Sequence, residues 1–293
     1  MFADFEHSQQ QVDDMSINYV KAGSGPPLLL LHGYPQSHIM WHKIAPRLAD
    51  HFTVVASDLR GYGDSTKPPS SQDHSPYSKR ASAKDQVRLM TSLGFEDFYV
   101  AGHDRGGRVG HRMALDYPDK VLKLATLDIA PTYTMYATTD FSFALAYYHW
   151  FFLIQPYPLP ETLIAANAEF CLRNKFGQWG RDDSAFPDEV MQEYLRCFSP
   201  ETIHASCEDY RASATIDMQH DQADIDAGVG LVCPILALWG EKGFVGNKYD
   251  VVAEWQQWGR DVRGFGLPCG HYLPEEAPEE TLKALMQFFK ESD

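Results

Sequence analysis

The stretch Phe98-Tyr-Val-Ala-Gly-His-Asp-Arg-Gly-Gly-Arg-Val-Gly110 decides how the rest of the chain is read. It opens with a short apolar run, Phe98 to Ala101, of the kind that forms a buried strand. It closes in a helical pattern, Gly107 to Tyr117. Between them, Gly102-His103-Asp104-Arg105-Gly106 is G-x-S-x-G with Asp where Ser would stand. A sharp strand-to-helix turn holds its central residue at strained dihedrals, so the flanking positions must be small. Such a turn pushes the central side chain out over the sheet and aims the helix N-terminus at the same point. Taken alone, the motif also fits plain tight packing or a phosphate cradle.

The surrounding pattern narrows this. Met15 to Lys21 alternates like a strand, Leu28 to Leu31 is a continuous apolar run, and Phe52 to Ala56, Phe98 to Ala101 and Val121 to Leu127 read as further buried strands. Such runs are expected of strands covered on both faces. Helical patterns fall at Ile39 to Leu48, with Pro46 a weak point, and at Ser78 to Ser92. From about Pro131 the strands stop, and residues 132 to 222 hold aromatics and short helical stretches. The alternation resumes with a strand at Pro234 to Trp239, a helix near Tyr249 to Trp258, a short strand near Val262 to Phe265 and a helix from about Pro278 to Lys290. The expectation is an α/β fold with a mostly parallel sheet covered by helices on both faces. Residues 1–131 and 223–293 would form the core, and 132–222 an inserted helical cap.

Size and charge bound the function. A chain of 293 residues can bury a full core. Its formal charge of −15 argues against nucleic acid or an anionic membrane as partner, and makes a small anionic substrate depend on concentrated local positive charge. Cys171, Cys197, Cys207, Cys233 and Cys269 show no C-x-x-C spacing, which argues against a disulfide framework or a zinc site and for a reducing, cytoplasmic setting. The N-terminus lacks the apolar core of a signal peptide, and the apolar stretch Phe141 to Ile154 is too short to span a bilayer.

In an open parallel sheet, ligands sit beyond the carboxyl ends of the strands. His32, Asp58, Asp104, Asp128, the Gly240 loop and His271 all fall there in this reading. A nucleophile on the turn, an acid after a later strand and a His near the end match the chain order of the α/β-hydrolases, and the sequence resembles that superfamily over nearly its whole length. His32-Gly33-Tyr34-Pro35 looks like the superfamily's oxyanion-hole motif, with the Tyr34 backbone N–H as a donor and the Arg105 N–H as the second. A carboxylate nucleophile suits attack on an sp³ carbon bearing a halide or an epoxide oxygen, giving an ester that His271-activated water then hydrolyses. The acid behind His271 stays open between two residues. Gly240-Glu241-Lys242-Gly243 has Gly where many α/β-hydrolases carry the acid, which favours Asp128, with Glu241 as the fallback.

Arg105 and Arg108, spaced i and i+3, place two guanidiniums on one helix face beside Asp104. Two such forks suit a carboxylate. In the cap, Tyr147-Tyr-His-Trp-Phe-Phe152 brings His149 and Trp150 side by side, and Cys207-Glu-Asp-Tyr-Arg211 brings Tyr210. On composition alone these aromatics fit a helix core as well as a binding site.

Together, Gly102-His-Asp-Arg-Gly-Gly-Arg108, His149-Trp150, Cys207-Glu-Asp-Tyr210 and Cys269-Gly-His271 resemble the fluoroacetate dehalogenases of the haloacetate dehalogenase family. The resemblance implies Asp104 as nucleophile, His271 as base and Asp128 as its acid. It implies Arg105 and Arg108 as ligands of the substrate carboxylate and His149, Trp150 and Tyr210 as halide donors, with Trp179 at the entrance or in the core. It further implies a homodimer without cofactor or metal, acting on a small anionic haloacid such as fluoroacetate. An epoxide hydrolase, or a dehalogenase preferring chloroacetate, is the alternative.

Overall fold

The computed structural model describes residues 1–291. Among these residues one sheet runs through the molecule in the order β1-β2-β4-β3-β5-β6-β7-β8. The strands are β1 (Glu6–Val12), β2 (Met15–Ala22), β3 (Pro27–Leu31), β4 (Thr53–Ser57), β5 (Phe98–His103), β6 (Val121–Leu127), β7 (Ile235–Gly240) and β8 (Val262–Leu267). Pairing is antiparallel for β1 with β2 and for β2 with β4, and parallel from there on. The central strands fall where the sequence reads as buried strands. Leu28 to Leu31, Val54 to Ala56 and Val100 to Ala101 are all fully buried, because helices cover both faces of the sheet.

Helix α1 (Ala45–Ala49) follows β3, α2 (Lys79–Ser92) precedes β5, and α3 (Arg105–Asp116) follows it. Ser78 starts α2 as an N-cap, its side chain accepting from the Ala81 N–H. Between β6 and β7 the described chain is helical. The segments are α4 (Thr132–Ala137), α5 (Phe141–Ala146), α6 (Tyr148–Leu153), α7 (Leu159–Ala165), α8 (Ala168–Trp179), α9 (Asp188–Cys197), α10 (Pro200–Ala214) and α11 (Ile216–Ala227). The last helix therefore continues past residue 222, ending at Gly228 in the left-handed region with φ 66°. After β7 come α12 (Phe244–Lys248), α13 (Val251–Gln256), α14 (Leu273–Glu276) and α15 (Pro278–Lys290).

Two local expectations need correction, and one strand has no signal in the sequence. Strand β1, Glu-His-Ser-Gln-Gln-Gln-Val, offers no apolar alternation. It is an exposed edge strand held by its ladder to β2. The helix expected over Ile39 to Leu48 is a 3-10 turn, His38–Trp41, followed by α1. Pro46 lies in the first turn of α1, where its missing N–H costs nothing. The helix expected near Tyr249 to Trp258 is shorter, α13 over Val251–Gln256. Tyr249 is extended, and Asp250 caps a fresh start at α13 through the Ala253 N–H.

The turn between β5 and α3 is among the tightest places in the fold. A Cβ at Gly102 would lie 2.5 Å from the Gly106 carbonyl carbon, and one at Gly106 would lie 2.5 Å from the His32 carbonyl oxygen and still closer to that of Leu31. These are backbone neighbours and cannot swing away. Gly106→Ala is therefore expected to destabilise the protein by about 1–3 kcal/mol. Urea unfolding should show a lower midpoint with little change in slope, and an unchanged midpoint would refute the packing argument.

Candidate active site

Asp104 stands between β5 and α3 with φ 44° and ψ −114°. A non-glycine residue there is strained, and it persists because the turn around it leaves no other path. Its carboxylate accepts a hydrogen bond from the Tyr34 N–H at 3.1 Å. Gly33 permits that approach, since a Cβ there would fall 2.6 Å from the Asp104 Cβ. Burial pushes the Asp104 carboxyl toward the neutral form, but His271, Arg105 and Arg108 outweigh it and hold its pKa below the ordinary value. The group is thus ionised at neutral pH.

His271 sits in the loop after β8, and its Nδ1 lies 2.6 Å from Oδ2 of Asp128. Asp128 follows β6 at φ 53° and is fixed from the other side by the Gly240 N–H, 2.9 Å from Oδ1. Glu241, by contrast, is exposed. The geometry pairs His271 with Asp128. Burial opposes charge on His271, yet the bond to Asp128 and the nearby carboxylates raise its pKa above the ordinary value. Next to the turn, His103 Nε2 donates to the His271 carbonyl oxygen at 2.8 Å. Because that partner is a carbonyl, Nε2 carries the proton, and burial holds the His103 pKa down at about 3, so the ring stays neutral.

Arg105 and Arg108 are both buried beside Asp104. Arg105 Nε donates to Asp209 Oδ2 at 2.6 Å, and Nη2 donates to the Asp209 carbonyl at 3.0 Å and to Ser213 Oγ. Its guanidinium lies 4.1 Å over the Tyr210 ring. Arg108 Nη1 donates to the Ala130 carbonyl and to Thr132 Oγ1, Nη2 faces Met135 Sδ, and the guanidinium lies 4.8 Å from the Trp150 ring centre. The two forks expected from the sequence are therefore partly spent on the protein. What remains without a partner among the described residues is Nη1 of Arg105 and Nε of Arg108.

The expected cap residues gather above these groups. His149 and Trp150 on α6 and Tyr210 on α10 are all buried. The His149 ring is 5.7 Å and the Trp150 ring 6.2 Å from that of Tyr210, and Tyr210 meets Tyr34 edge-on at 5.4 Å. His149 Nδ1 has no described partner, and burial, helped by Lys175, holds the ring neutral with a pKa well below the ordinary value. Trp179 packs on His149 at 4.5 Å and on His271 at 5.6 Å. With Asp128, Tyr147, Arg181, Phe244 and His271 it lines a cavity of about 240 Å³ that reaches the His271–Asp128 pair.

Sequence reasoning missed the scaffold beneath Arg105. Asp209 also accepts from Tyr62 Oη at 2.9 Å and from Lys79 Nζ, so one buried carboxylate is shared by two cations and a phenol. A signal was present. Asp209 directly precedes Tyr210 in the quoted motif, and a buried arginine requires a partner. No cluster among the described residues has the composition of a metal site.

The arrangement brings together an ionised carboxylate on a strained turn, a His–Asp pair, a backbone donor and cationic N–H groups without a described partner, enclosed by aromatic rings. The chain matches the α/β-hydrolase fold family over residues 26–278. It is 45% identical to a fluoroacetate dehalogenase from Burkholderia sp, covering 100% of this chain and 96% of that protein. It is 35% identical to a soluble epoxide hydrolase from Corynebacterium sp. (strain C12), covering 99% of each. A solved structure from Nostoc sp PCC 7120, provisionally described as an alpha/beta hydrolase, superposes with a TM-score of 0.98 at 60% identity over 100% of both chains.

The His271–Asp128 contact generates a direct test. The carboxylate supplies the largest upward push on the imidazole, so the imidazolium should persist above pH 6.5 and Asp128→Asn should lower its midpoint. NMR titration of the His271 ring would show this. A midpoint that does not move in Asp128→Asn would contradict the pairing.

Proposed function

This chain belongs to the α/β-hydrolase fold family and is a hydrolase, and we propose that it removes halide from small 2-haloacids, fluoroacetate first among them and chloroacetate also, giving glycolate. The observation that supports this most is the pair of buried guanidiniums with unspent N–H groups beside an ionised Asp104. Cations buried with donors to spare call for an anionic partner. A carboxylate held by Arg105 Nη1 and Arg108 Nε would place the α-carbon next to Asp104. Fixing both reactants this way lowers the entropic part of the barrier.

In the proposed reaction Asp104 attacks the α-carbon, the C–O bond of an ester forms, and the carbon–halogen bond breaks with its electron pair leaving on the halide. His149, Trp150 and Tyr210 receive the halide as hydrogen-bond donors. Fluoride is strongly hydrated, and each donor aimed at a charged acceptor is worth about 1.5–3 kcal/mol, so three together replace much of the lost water. Keeping His149 neutral leaves one ring N–H to donate. His271 then takes a proton from water, which attacks the ester carbonyl carbon while the Tyr34 and Arg105 N–H groups hold the oxyanion. Asp128 stabilises the imidazolium so formed. On collapse the ester C–O bond breaks, the His271 imidazolium gives its proton to the departing glycolate oxygen, and the Asp104 carboxyl loses the remaining water proton to solvent, which restores the carboxylate. The helices from 132 to 222 act as the cap over residues 1–131 and 223–293, and no cofactor is needed. The same reading has the chain working in the cytoplasm as a homodimer, a state implied by its resemblance to the dehalogenases.

Halide release measured with ion-selective electrodes tests this. Fluoroacetate and chloroacetate should both release halide. Asp104→Asn should lower the rate by more than about 10³-fold. Arg108→Gln should lower kcat/KM for either acid by about 10- to 100-fold, the worth of one charge-assisted hydrogen bond. No halide from either acid, together with diol formation from neutral epoxides that Arg108→Gln leaves intact, would overturn the proposal in favour of an epoxide hydrolase.

A further inference from the structure

The loop that carries the Tyr34 donor is held from behind by a side chain that the reaction above does not use. His32 follows directly on β3 and is fully buried. Its Nε2 lies 3.0 Å from the backbone nitrogen of Leu59, on the loop after β4. Its Nδ1 lies 2.9 Å from the Gly33 carbonyl oxygen. That carbonyl belongs to the same peptide group as the Tyr34 N–H, which reaches Oδ2 of Asp104 at 3.1 Å. One peptide plane thus joins the His32 imidazole to Asp104.

The backbone partners decide where the imidazole proton lies. The Leu59 N–H can only donate, so Nε2 of His32 accepts and carries no hydrogen. The Gly33 carbonyl can only accept, so Nδ1 carries the proton and donates. A charged ring would set an Nε2–H against the Leu59 N–H, so the imidazole is neutral. Asp58, whose Oδ1 is 4.0 Å from Nε2, does not change this. Its carboxylate accepts from the His38 N–H and Nδ1, from Asn18 Nδ2 and from the Asp64 N–H. Burial agrees with the geometry, lowering the His32 pKa against the pull of Asp58.

We propose that His32, donating from Nδ1 to the Gly33 carbonyl, is the positioning residue that aims the Tyr34 N–H at Oδ2 of Asp104, and that it thereby sets the rate of ester hydrolysis. The second half rests on the reaction proposed above; the first does not. A peptide group is planar, so fixing its oxygen fixes the direction of its N–H. The Gln36 N–H holds the same oxygen at 2.9 Å but belongs to the same loop, whereas His32 ties it to the loop after β4. A hydrogen bond at the oxygen also polarises the N–H at the other end. The two chemical steps use that N–H unequally. Oδ2, held by Tyr34, stays the carbonyl oxygen of the ester, and Oδ1 attacks the α-carbon. Ester formation removes charge from the carboxylate, while hydrolysis creates an oxyanion at Oδ2, where the N–H points.

Two variants separate the donor from the rest of the ring. His32→Leu removes both ring nitrogens. His32→Asn restores a donor at the Nδ1 position and leaves the Leu59 N–H without its acceptor, as leucine does. Single turnovers with enzyme in excess resolve the two steps. Halide should leave His32→Leu within about threefold of the wild-type rate, while the ester on the peptide containing Asp104 should decay about tenfold or more slowly. His32→Asn should recover most of that decay rate. A merely structural role would slow both steps alike, or lower their amplitudes together. Equal slowing of both steps in His32→Leu, or His32→Asn as slow in ester decay as His32→Leu, would overturn the proposal.

A second measurement needs neither substrate nor a folded variant. Nitrogen NMR of the wild-type His32 ring should show Nδ1 protonated and Nε2 bare from pH 6 to 9, and the opposite tautomer would overturn the proposal. The Tyr34 amide resonance should shift in His32→Leu and return most of the way in His32→Asn; no shift in a folded His32→Leu would equally overturn it. A protein that releases halide from neither acid, yet shows this tautomer and these shifts, would leave the positioning of the Tyr34 N–H standing and refute the dehalogenase reading instead.

Discussion

The site depends on one backbone constraint. Asp104 is held at φ 44°, ψ −114° because strand β5 and helix α3 meet with almost no room between them. Gly102 and Gly106 let the two backbones touch, and Gly33 lets the neighbouring loop close over the carboxylate. From that strained residue everything else takes its place. The Tyr34 N–H reaches the carboxylate, the first turn of α3 delivers Arg105 and Arg108, and the parallel register of β5, β6 and β7 brings the Asp128 carboxylate to the Gly240 N–H. Strain of this kind, of order 1–3 kcal/mol, is sustained by the large buried sheet around it.

The second constraint is electrostatic. A chain of net charge −15 buries two arginines and a lysine in one region. Asp209 makes this possible by accepting from Arg105, Lys79 and Tyr62 at once. Aromatic faces do part of the same work, with Tyr210 under Arg105 and Trp150 under Arg108. Each guanidinium is thereby locked in place while keeping an N–H for a ligand. In the proposed reaction that leftover capacity is what selects a carboxylate. Removing one partner of such a buried pair leaves a charge stranded, so the carboxylate and the arginine stand or fall together.

Much of this was legible in the sequence because it was local. The apolar runs of the central strands, the turn at Asp104 and the spacing of Arg105 with Arg108 each lie within a few residues. The missing acid in the Gly240 loop pointed to Asp128, and the structure brings Asp128 to His271. What was not legible depends on partners far along the chain. Strand β1 has no apolar alternation and exists through pairing with β2. The breaks at the 3-10 turn and at Tyr249 are set by Pro46 and by the Asp250 cap, which compete with a helical pattern that continues through them. Asp209 and Glu275 look like ordinary helix acids until the fold brings Arg105 and Gln36 against them. The partial use of the two arginine forks is of the same kind, since Ser213, Thr132 and Ala130 are invisible as partners before folding.

The central claim is that Asp104 becomes esterified and that water attacks the ester and not the substrate. A single turnover with enzyme in excess, run in water enriched in oxygen-18, tests it most directly. The account predicts unlabelled glycolate and one heavy oxygen in the peptide containing Asp104, because the carboxylate oxygen leaves with the product and solvent replaces it. Labelled glycolate with no label in that peptide would mean that water displaces the halide directly, and would contradict the account.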